Sequence, residues 1–132
     1  MAERGSSTSM LYLGYAFTNG IGGSPDLQAA ERWYRLAAEA GLTRAHYNLG
    51  RLYLAGGRFS DAKYELERAA AKEFMPAIHY LGRLYYFGYG VPVDRVRGKA
   101  LLEAAAKWGC IFAKATLAYD LIHQNSLERF KL

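Results

Sequence analysis

Apolar positions recur along the chain at the spacing of one helix face. Leu13 is preceded by Ser9 and followed by Phe17 at four-residue intervals, so these three side chains share one side of a helix. The same stripe of a small residue, a leucine and an aromatic residue occurs twice more, and a fourth copy ends in leucine. These copies are Ala45, Leu49 and Tyr53; Ala77, Leu81 and Tyr85; and Ala113, Leu117 and Leu121.

The regular spacing of these copies predicts a repeat architecture. The four stripe leucines lie 36, 32 and 36 residues apart, which is the length of one helical hairpin per copy. A small residue follows each leucine, which allows a second helix to pack closely against the first. These small residues are Gly14, Gly50, Gly82 and Ala118. The aromatic residues Phe17, Tyr53 and Tyr85 are predicted core residues, and Tyr12 and Tyr80 are predicted to be half-buried.

A second helix is predicted after the first in each complete copy. Asp26 and Asp94 stand where a carboxylate can cap the first N–H groups of an alanine-rich helix. Gly41 and Gly109 stand where the chain needs a left-handed residue to leave that helix. In the middle copy, Glu73 replaces this glycine.

The third copy resembles the Sel1-like repeat, a branch of the tetratricopeptide-like solenoids, and the middle copy is closer to an ordinary tetratricopeptide repeat. The resemblance covers nearly the whole chain. It implies an all-α fold, a right-handed α/α superhelical solenoid of about three and a half helix-turn-helix repeats. We expect one domain over 1–132, with repeats at about 6–41, 42–73 and 74–109 and a partial repeat at 110–132. The matching residues of copy three are Ala77, Leu81, Gly82, Tyr85, Gly88, Gly90, Val91, Asp94, Ala105, Ala106 and Gly109.

Both ends of the chain carry traces of repeats. Residues 2–5 mimic residues 38–41, as if the chain opened with the tail of an earlier repeat. Two interpretations remain open, a piece of a longer array and a native N-terminus reduced to a cap. Residues 126–132 form a short amphipathic segment, which we expect to cap the last hydrophobic face.

The resemblance also implies that the first helices line a concave groove that binds a partner. Tyr47 and Arg51 share a face beside the core stripe of the second copy, and His79, Arg83 and Tyr86 match them in the third. Arginine can hold a carboxylate in bidentate fashion, and tyrosine offers rigid contact area. Arg51 and Arg83 are the preferred anchors, and an ordinary solvated face is the alternative. The predicted partner-binding residues are Tyr15, Arg44, Tyr47, Arg51, His79, Arg83, Tyr86 and Tyr119.

Charge narrows the choice of partner. The 132-residue chain has a net charge of +5 and a pI near 9.4. Three arginines and no acid lie between Leu42 and Ser60, whereas most carboxylates fall on the second helices. An acidic protein segment fits this distribution. Nucleic acid is disfavoured, because no recognised nucleic-acid motif is present and the basic residues are spread over several helices.

No catalytic, metal-binding or cofactor-binding constellation is found. The three histidines have no ligand at metal-binding spacing, and residues 20–23 lack the lysine of a phosphate-binding loop. Cys110 is the single cysteine, and no signal peptide or membrane span is found, so we expect a cytoplasmic protein that is not an enzyme and has no cofactor.

The predicted function is that of an adaptor or scaffold module that binds a peptide or protein partner. In the family that the chain resembles, such modules assemble signalling, secretion or envelope complexes, often in bacteria. A structural segment that self-associates through an exposed end is an alternative, and non-specific nucleic-acid binding is a weaker one.

Overall fold

The computed structural model describes residues 2–129, with side chains from Ser6 to Ser126. These residues form seven α-helices and no strand, which confirms the all-α class. The side chains beyond Ser126 that were expected to cap the last repeat lie outside the described residues. The helices are α1 (Ala2–Asn19), α2 (Leu27–Glu39), α3 (Thr43–Ala55), α4 (Phe59–Ala71), α5 (Met75–Phe87), α6 (Arg95–Lys107) and α7 (Ile111–Arg129).

Helices pair into hairpins, α1 with α2, α3 with α4 and α5 with α6, and α7 packs on α6. The glycine after each stripe leucine makes this pairing close, as predicted. A Cβ atom at Gly50 would lie 2.7 Å from Cγ of Leu66, and one at Gly14 would lie 2.5 Å from Cδ1 of Tyr34. A larger residue would therefore force the Leu66 or Tyr34 side chain, or the helix that carries it, to move.

Two aspartates cap the second helices, which confirms the sequence prediction. Oδ1 of Asp26 accepts a hydrogen bond from the backbone N–H of Ala29 at 3.1 Å. Oδ1 of Asp94 accepts one from the N–H of Arg97 at 3.0 Å. Each bond satisfies an N–H group that has no carbonyl partner within its own helix.

The second helices end in left-handed residues. Gly41 has φ 96° and Gly109 has φ 95°, the conformation predicted for both. Glu73 adopts φ 59° at the equivalent place, although it carries a Cβ atom that disfavours this conformation. The sequence change from glycine to glutamate thus leaves the geometry of the turn intact and stores strain in it.

The chain divides into two compact units, Met1–Phe74 and Met75–Leu132. Tyr53 and Tyr85 are buried as predicted, and Phe17 is half-buried against the core of the first unit. Tyr12 was predicted to be half-buried but is 67% exposed, because it lies two residues before Gly14, whose face of α1 packs against Tyr34 of α2. The first core contains Ala30, Tyr34, Ala37, Ala38, Ala45, Leu49, Tyr53 and Ala62, and the second includes Tyr86, Leu102, Ala105 and Ala113.

Candidate functional site

Two arginines and two aromatic rings form a continuous row along α3 in the first unit. The Arg44 guanidinium lies 5.9 Å from the ring centroid of Phe74. The Phe74 ring meets the Tyr47 ring edge-on, with centroids 5.1 Å apart. The Arg51 guanidinium lies 5.7 Å from the Tyr47 centroid. Arg44, Phe74, Tyr47 and Arg51 are called the α3 row below.

Helical geometry explains why three members of the α3 row meet. Arg44, Tyr47 and Arg51 are three and four residues apart on one helix, so they share a face. Both guanidinium groups are exposed, while the Tyr47 and Phe74 rings between them are half-buried. The packed rings hold the arginines by cation–π contacts, which are worth about 0.5–1 kcal/mol each at exposed sites.

The side chains of α3 that carry a full charge at neutral pH, Arg44 and Arg51, are both positive. Helix α3 contains no Asp or Glu. Glu65 on α4 is held by Nδ1 of His46 at 2.6 Å, in a part-buried contact. Burial raises the pKa of Tyr34, and the charge of Arg51 acts in the opposite direction, which places Arg51 near that hydroxyl. The row therefore presents a positive, aromatic surface.

Arg35 and Arg58 of the first unit contact acidic side chains within the fold. The Glu31 carboxylate accepts hydrogen bonds from Nη2 of Arg35 at 2.6 Å and from the Tyr53 hydroxyl at 2.9 Å. Nη1 of Arg58 lies 3.3 Å from the same carboxylate, and its guanidinium covers the Tyr53 ring at 4.3 Å. This group is structural, and the cleft of about 440 Å³ beside it has mixed charge. Asp26, Gln28, Ala29, Glu31, Arg32 and Arg35 line that cleft.

In the second unit, Arg83 is the charged residue on the predicted binding face of α5. Its guanidinium lies 5.9 Å from the Tyr80 ring centroid, and its side chain is half-buried. The pairing resembles that of Arg51 with Tyr47, with the aromatic residue three rather than four positions before the arginine. Tyr80 is half-buried, as predicted.

The structure buries two of the predicted partner-binding residues instead of placing them on an open face. His79 and Tyr86 are each only 5% exposed. The His79 ring packs against Tyr80 and Phe112, at centroid distances of 5.3 and 6.1 Å. The side chains of His79 and Tyr86 are therefore packing residues of α5, and they leave little surface for a partner.

Burial sets the protonation of these two side chains. Burial lowers the pKa of His79, and the nearby charge of Arg83 lowers it further. Burial raises the pKa of the Tyr86 hydroxyl, and the Asp120 carboxylate adds to the rise. Nε2 of His79 has no hydrogen-bond partner among the described residues. Both side chains are neutral supports of α5 at neutral pH.

The two remaining predicted residues are exposed. Tyr15 is 55% exposed and lies close enough to Tyr34 to raise the pKa of its hydroxyl. Tyr119 is 67% exposed and stacks on His123, with ring centroids 5.9 Å apart. The structure thus brings Arg44, Tyr47 and Arg51 together in the α3 row. Tyr119 is not part of that row and lies on α7 of the second unit.

Phe74 is the site residue that sequence reasoning missed. It occupies the turn after α4, one residue beyond the left-handed Glu73. The equivalent residues in the other turns are Leu42 and Cys110, so Phe74 is the only aromatic residue of the three. This aromatic residue in the turn was the sequence signal that could have identified Phe74 as a site residue.

The part of the chain that the structure describes has neither a metal-binding cluster nor a membrane-spanning helix. No three or more His, Cys, Asp or Glu side chains in it are grouped so as to hold a metal ion. None of its helices combines the length and the apolar character needed to cross a membrane.

The paired helices and their glycine contacts define the class of protein, an all-α repeat solenoid. The Sel1 repeat model matches residues 7–42, 43–72 and 76–109. The chain therefore belongs to the Sel1 repeat family, whose repeats are generally protein–protein interaction modules.

Similar proteins are known from bacteria and a virus. A crystal structure of a Sel1 repeat protein from Oxalobacter formigenes is 38% identical, with a TM-score of 0.71, and the match covers 89% of this chain and 91% of that one. The crystal structure of c5321, a protective antigen present in uropathogenic Escherichia coli strains, is 29% identical with a TM-score of 0.79. That match covers 89% of this chain but 26% of c5321.

The viral relative is much longer than this chain. The putative sel1-like repeat-containing protein L21 of Acanthamoeba polyphaga mimivirus is 42% identical over 53 residues. That segment is 40% of this chain and 9% of the viral protein.

Proposed function

We propose that this chain is an adaptor or scaffold module that binds an acidic segment of a partner protein. The α3 row carries the proposal, because it holds two exposed guanidinium groups on one helix face with aromatic rings between them. Arg83 on α5, in the second unit, is a separate candidate anchor. Tyr15 supplies further exposed aromatic surface in the first unit.

The geometry of the α3 row favours a carboxylate-bearing segment. Arg44 and Arg51 are seven residues apart on a helix, which corresponds to a rise of about 10.5 Å. An extended chain rises about 3.3 Å per residue, so the two arginines match carboxylates roughly three residues apart. Guanidinium groups bind carboxylates through paired, charge-assisted hydrogen bonds.

The packed rings should make this binding more favourable than two mobile arginines would. Each guanidinium already contacts a half-buried ring, so less side-chain freedom is lost when a carboxylate binds. The half-buried Tyr47 and Phe74 rings keep some exposed surface, which offers contact area for apolar residues between the two acids. We therefore expect an acidic segment that also contains apolar or aromatic residues.

Fluorescence anisotropy with labelled peptides tests the proposal. The peptides carry two glutamates at separations of one to six residues around a tyrosine, and matched peptides carry glutamine instead. We expect the tightest binding at separations near three. Arg44→Gln/Arg51→Gln should weaken it about tenfold or more, because a hydrogen bond to a charged group contributes about 1.5–3 kcal/mol. Arg83→Gln tests the Arg83 anchor of the second unit separately, with the same peptides.

A matched control separates the α3 row from net charge. Arg32→Gln/Arg68→Gln also removes two exposed arginines of the first unit, on α2 and α4, and should leave peptide binding nearly unchanged. Equal losses in both double variants would mean that only bulk charge attracts the peptide. Binding of mixed oligonucleotides that exceeds peptide binding and collapses as salt rises would favour the nucleic-acid alternative.

A further inference from the structure

Helix α7 has apolar residues on two opposite sides, and the described residues cover only one of them. The inner side packs within the second unit through Ala113, which is fully buried, and Leu117, which is half-buried. The outer side carries Ile111 and Ile122, which are 75% and 67% exposed. We call Ile111, Ala115, Ala118 and Ile122 the outer α7 stripe, and all four are exposed.

The outer α7 stripe has the spacing of a helix-pairing seam. Its members are separated by four, three and four residues, which is the alternation of core positions in a coiled coil. The stripe is also symmetric, because isoleucine, alanine, alanine and isoleucine read the same in both directions. A symmetric stripe matches a second copy of itself that runs antiparallel.

The residues that flank the outer α7 stripe also match their counterparts in a second copy when the two helices pair antiparallel. Antiparallel pairing centred between Ala115 and Ala118 sets Ile111 opposite Ile122 of the second copy. Phe112 then faces Leu121, and Lys114 faces the ring of Tyr119. These flanking residues are all exposed, Phe112 at 73%, Leu121 at 60% and Tyr119 at 67%. The pairing joins apolar residues to apolar residues, and it joins a cation to an aromatic face.

Ala118 disfavours a second helix of the ordinary hairpin kind on this surface. In the complete hairpins the equivalent residue is glycine, and a Cβ at Gly82 would lie 3.0 Å from Cγ of Leu102. The Cβ atom of Ala118 would make such an approach tighter. Alanine at a helix-pairing seam suits the separation of about 8–10 Å between two packed helices.

The length of α7 also argues against an ordinary hairpin at this position. Helices α1, α3 and α5 all end six residues after their stripe leucine, at Asn19, Ala55 and Phe87. The equivalent residue of α7 is His123, yet α7 continues to Arg129. Helix α7 therefore does not turn back at the place where the other hairpins do, and the four residues of the outer α7 stripe are exposed.

We propose that α7 is a self-association surface on which two copies of this chain pair antiparallel through the outer α7 stripe. A single helix pair buries less than the roughly 800 Å² per partner of a standard stable interface, so the dimer should be weak, on the order of micromolar. The surface lies in the second unit and shares no residue with the α3 row. Self-association is thus separable from binding of an acidic partner.

Sedimentation velocity from low micromolar to several hundred micromolar protein tests the proposal. We expect the wild-type sedimentation coefficient to rise with concentration towards that of a dimer. Ile122→Glu should weaken dimerisation at least tenfold without unfolding the chain, since the side chain is exposed. Val96→Glu is the matched control, because Val96 is an 84% exposed apolar residue of α6 outside the stripe.

Mixing two variants tests the antiparallel register. Ile111→Lys and Ile122→Glu should each impair self-association, and an equimolar mixture should restore it, because antiparallel pairing brings the two introduced charges together. A wild-type monomer at every concentration would overturn the proposal, as would a dimer that Ile122→Glu leaves intact. A mixture that stays monomeric would overturn the antiparallel arrangement.

A membrane surface is the other occupant that the experiment distinguishes. Wild-type chain that stays monomeric but binds vesicles of anionic phospholipid, with binding lost in Ile122→Glu, would assign the stripe to a lipid surface and overturn self-association.

Discussion

Gly98 on α6 lies at a close backbone contact between α5 and α6, and replacing it by alanine should destabilise the second unit. A Cβ atom at this position would lie 2.5 Å from the backbone nitrogen of Tyr86. It would also lie 2.8 Å from the carbonyl oxygen of Gly82 and 2.8 Å from Cα of Tyr86. All three are backbone atoms, so the clash is relieved only if the two helices separate.

Two opposing terms determine the size of the effect. Overpacking of a close contact costs about 1–3 kcal/mol, and the upper end applies here because no side chain can rotate away. Alanine regains about 1 kcal/mol in the helix interior, since glycine is the poorer helix former. The expected loss for Gly98→Ala is therefore about 2 kcal/mol. A loss of that size is substantial for a domain whose whole stability is about 5–15 kcal/mol.

Urea unfolding followed by circular dichroism measures the change. We expect a lower transition midpoint with an unchanged slope, and a melting temperature lower by about 6–10 °C. Gly23→Ala is the control, because a Cβ at Gly23 meets no atom within 4 Å and its backbone is not left-handed. It should change stability by less than about 0.5 kcal/mol. Wild-type stability in Gly98→Ala would refute the close-contact reasoning.

Two further predictions concern Glu73 and His79. Glu73→Gly should stabilise the chain by about 1 kcal/mol, because it removes the Cβ atom from a left-handed residue. Glu73→Ala keeps the Cβ atom and should leave stability unchanged. Equal shifts of the melting temperature in the two variants would contradict the claim that the Glu73 backbone is strained. Because burial lowers the pKa of His79, the unfolded chain takes up a proton that the folded chain does not as pH falls below about 6.5. Stability in urea titrations should therefore fall as the pH drops below about 6.5, and less steeply in His79→Leu. Parallel curves for the two proteins would exclude this role of His79.

Features that depend on neighbours in the sequence were predictable. The leucine–glycine pairs, the capping aspartates and the helix-ending glycines each act within a few residues, so their positions identify hairpins directly. Glu73 shows that residue type alone does not always predict the backbone conformation of a turn. The turn geometry is imposed by the helices that flank it, and a residue that disfavours this geometry still adopts it.

The candidate site was less predictable because helical spacing does not tell which face a neighbouring element covers. Helix α5 has apolar or aromatic residues on nearly every side, so the spacing that groups His79, Arg83 and Tyr86 does not reveal that two of them are buried. Phe74 joins the α3 row from a turn almost thirty residues beyond Tyr47, and no local periodicity connects them. The exposure of Tyr12 has the same origin.

The Glu31 carboxylate has a consequence for how the first unit unfolds. It lies on α2, yet it binds the hydroxyl of Tyr53 on α3 and the guanidinium of Arg58 at the start of α4. In a repeat array, cooperativity depends on how strongly each repeat is coupled to the next, relative to its own stability. One charged group here couples the first hairpin to both helices of the second. Opening either hairpin alone breaks its contacts to the other, so the two are expected to unfold in one transition.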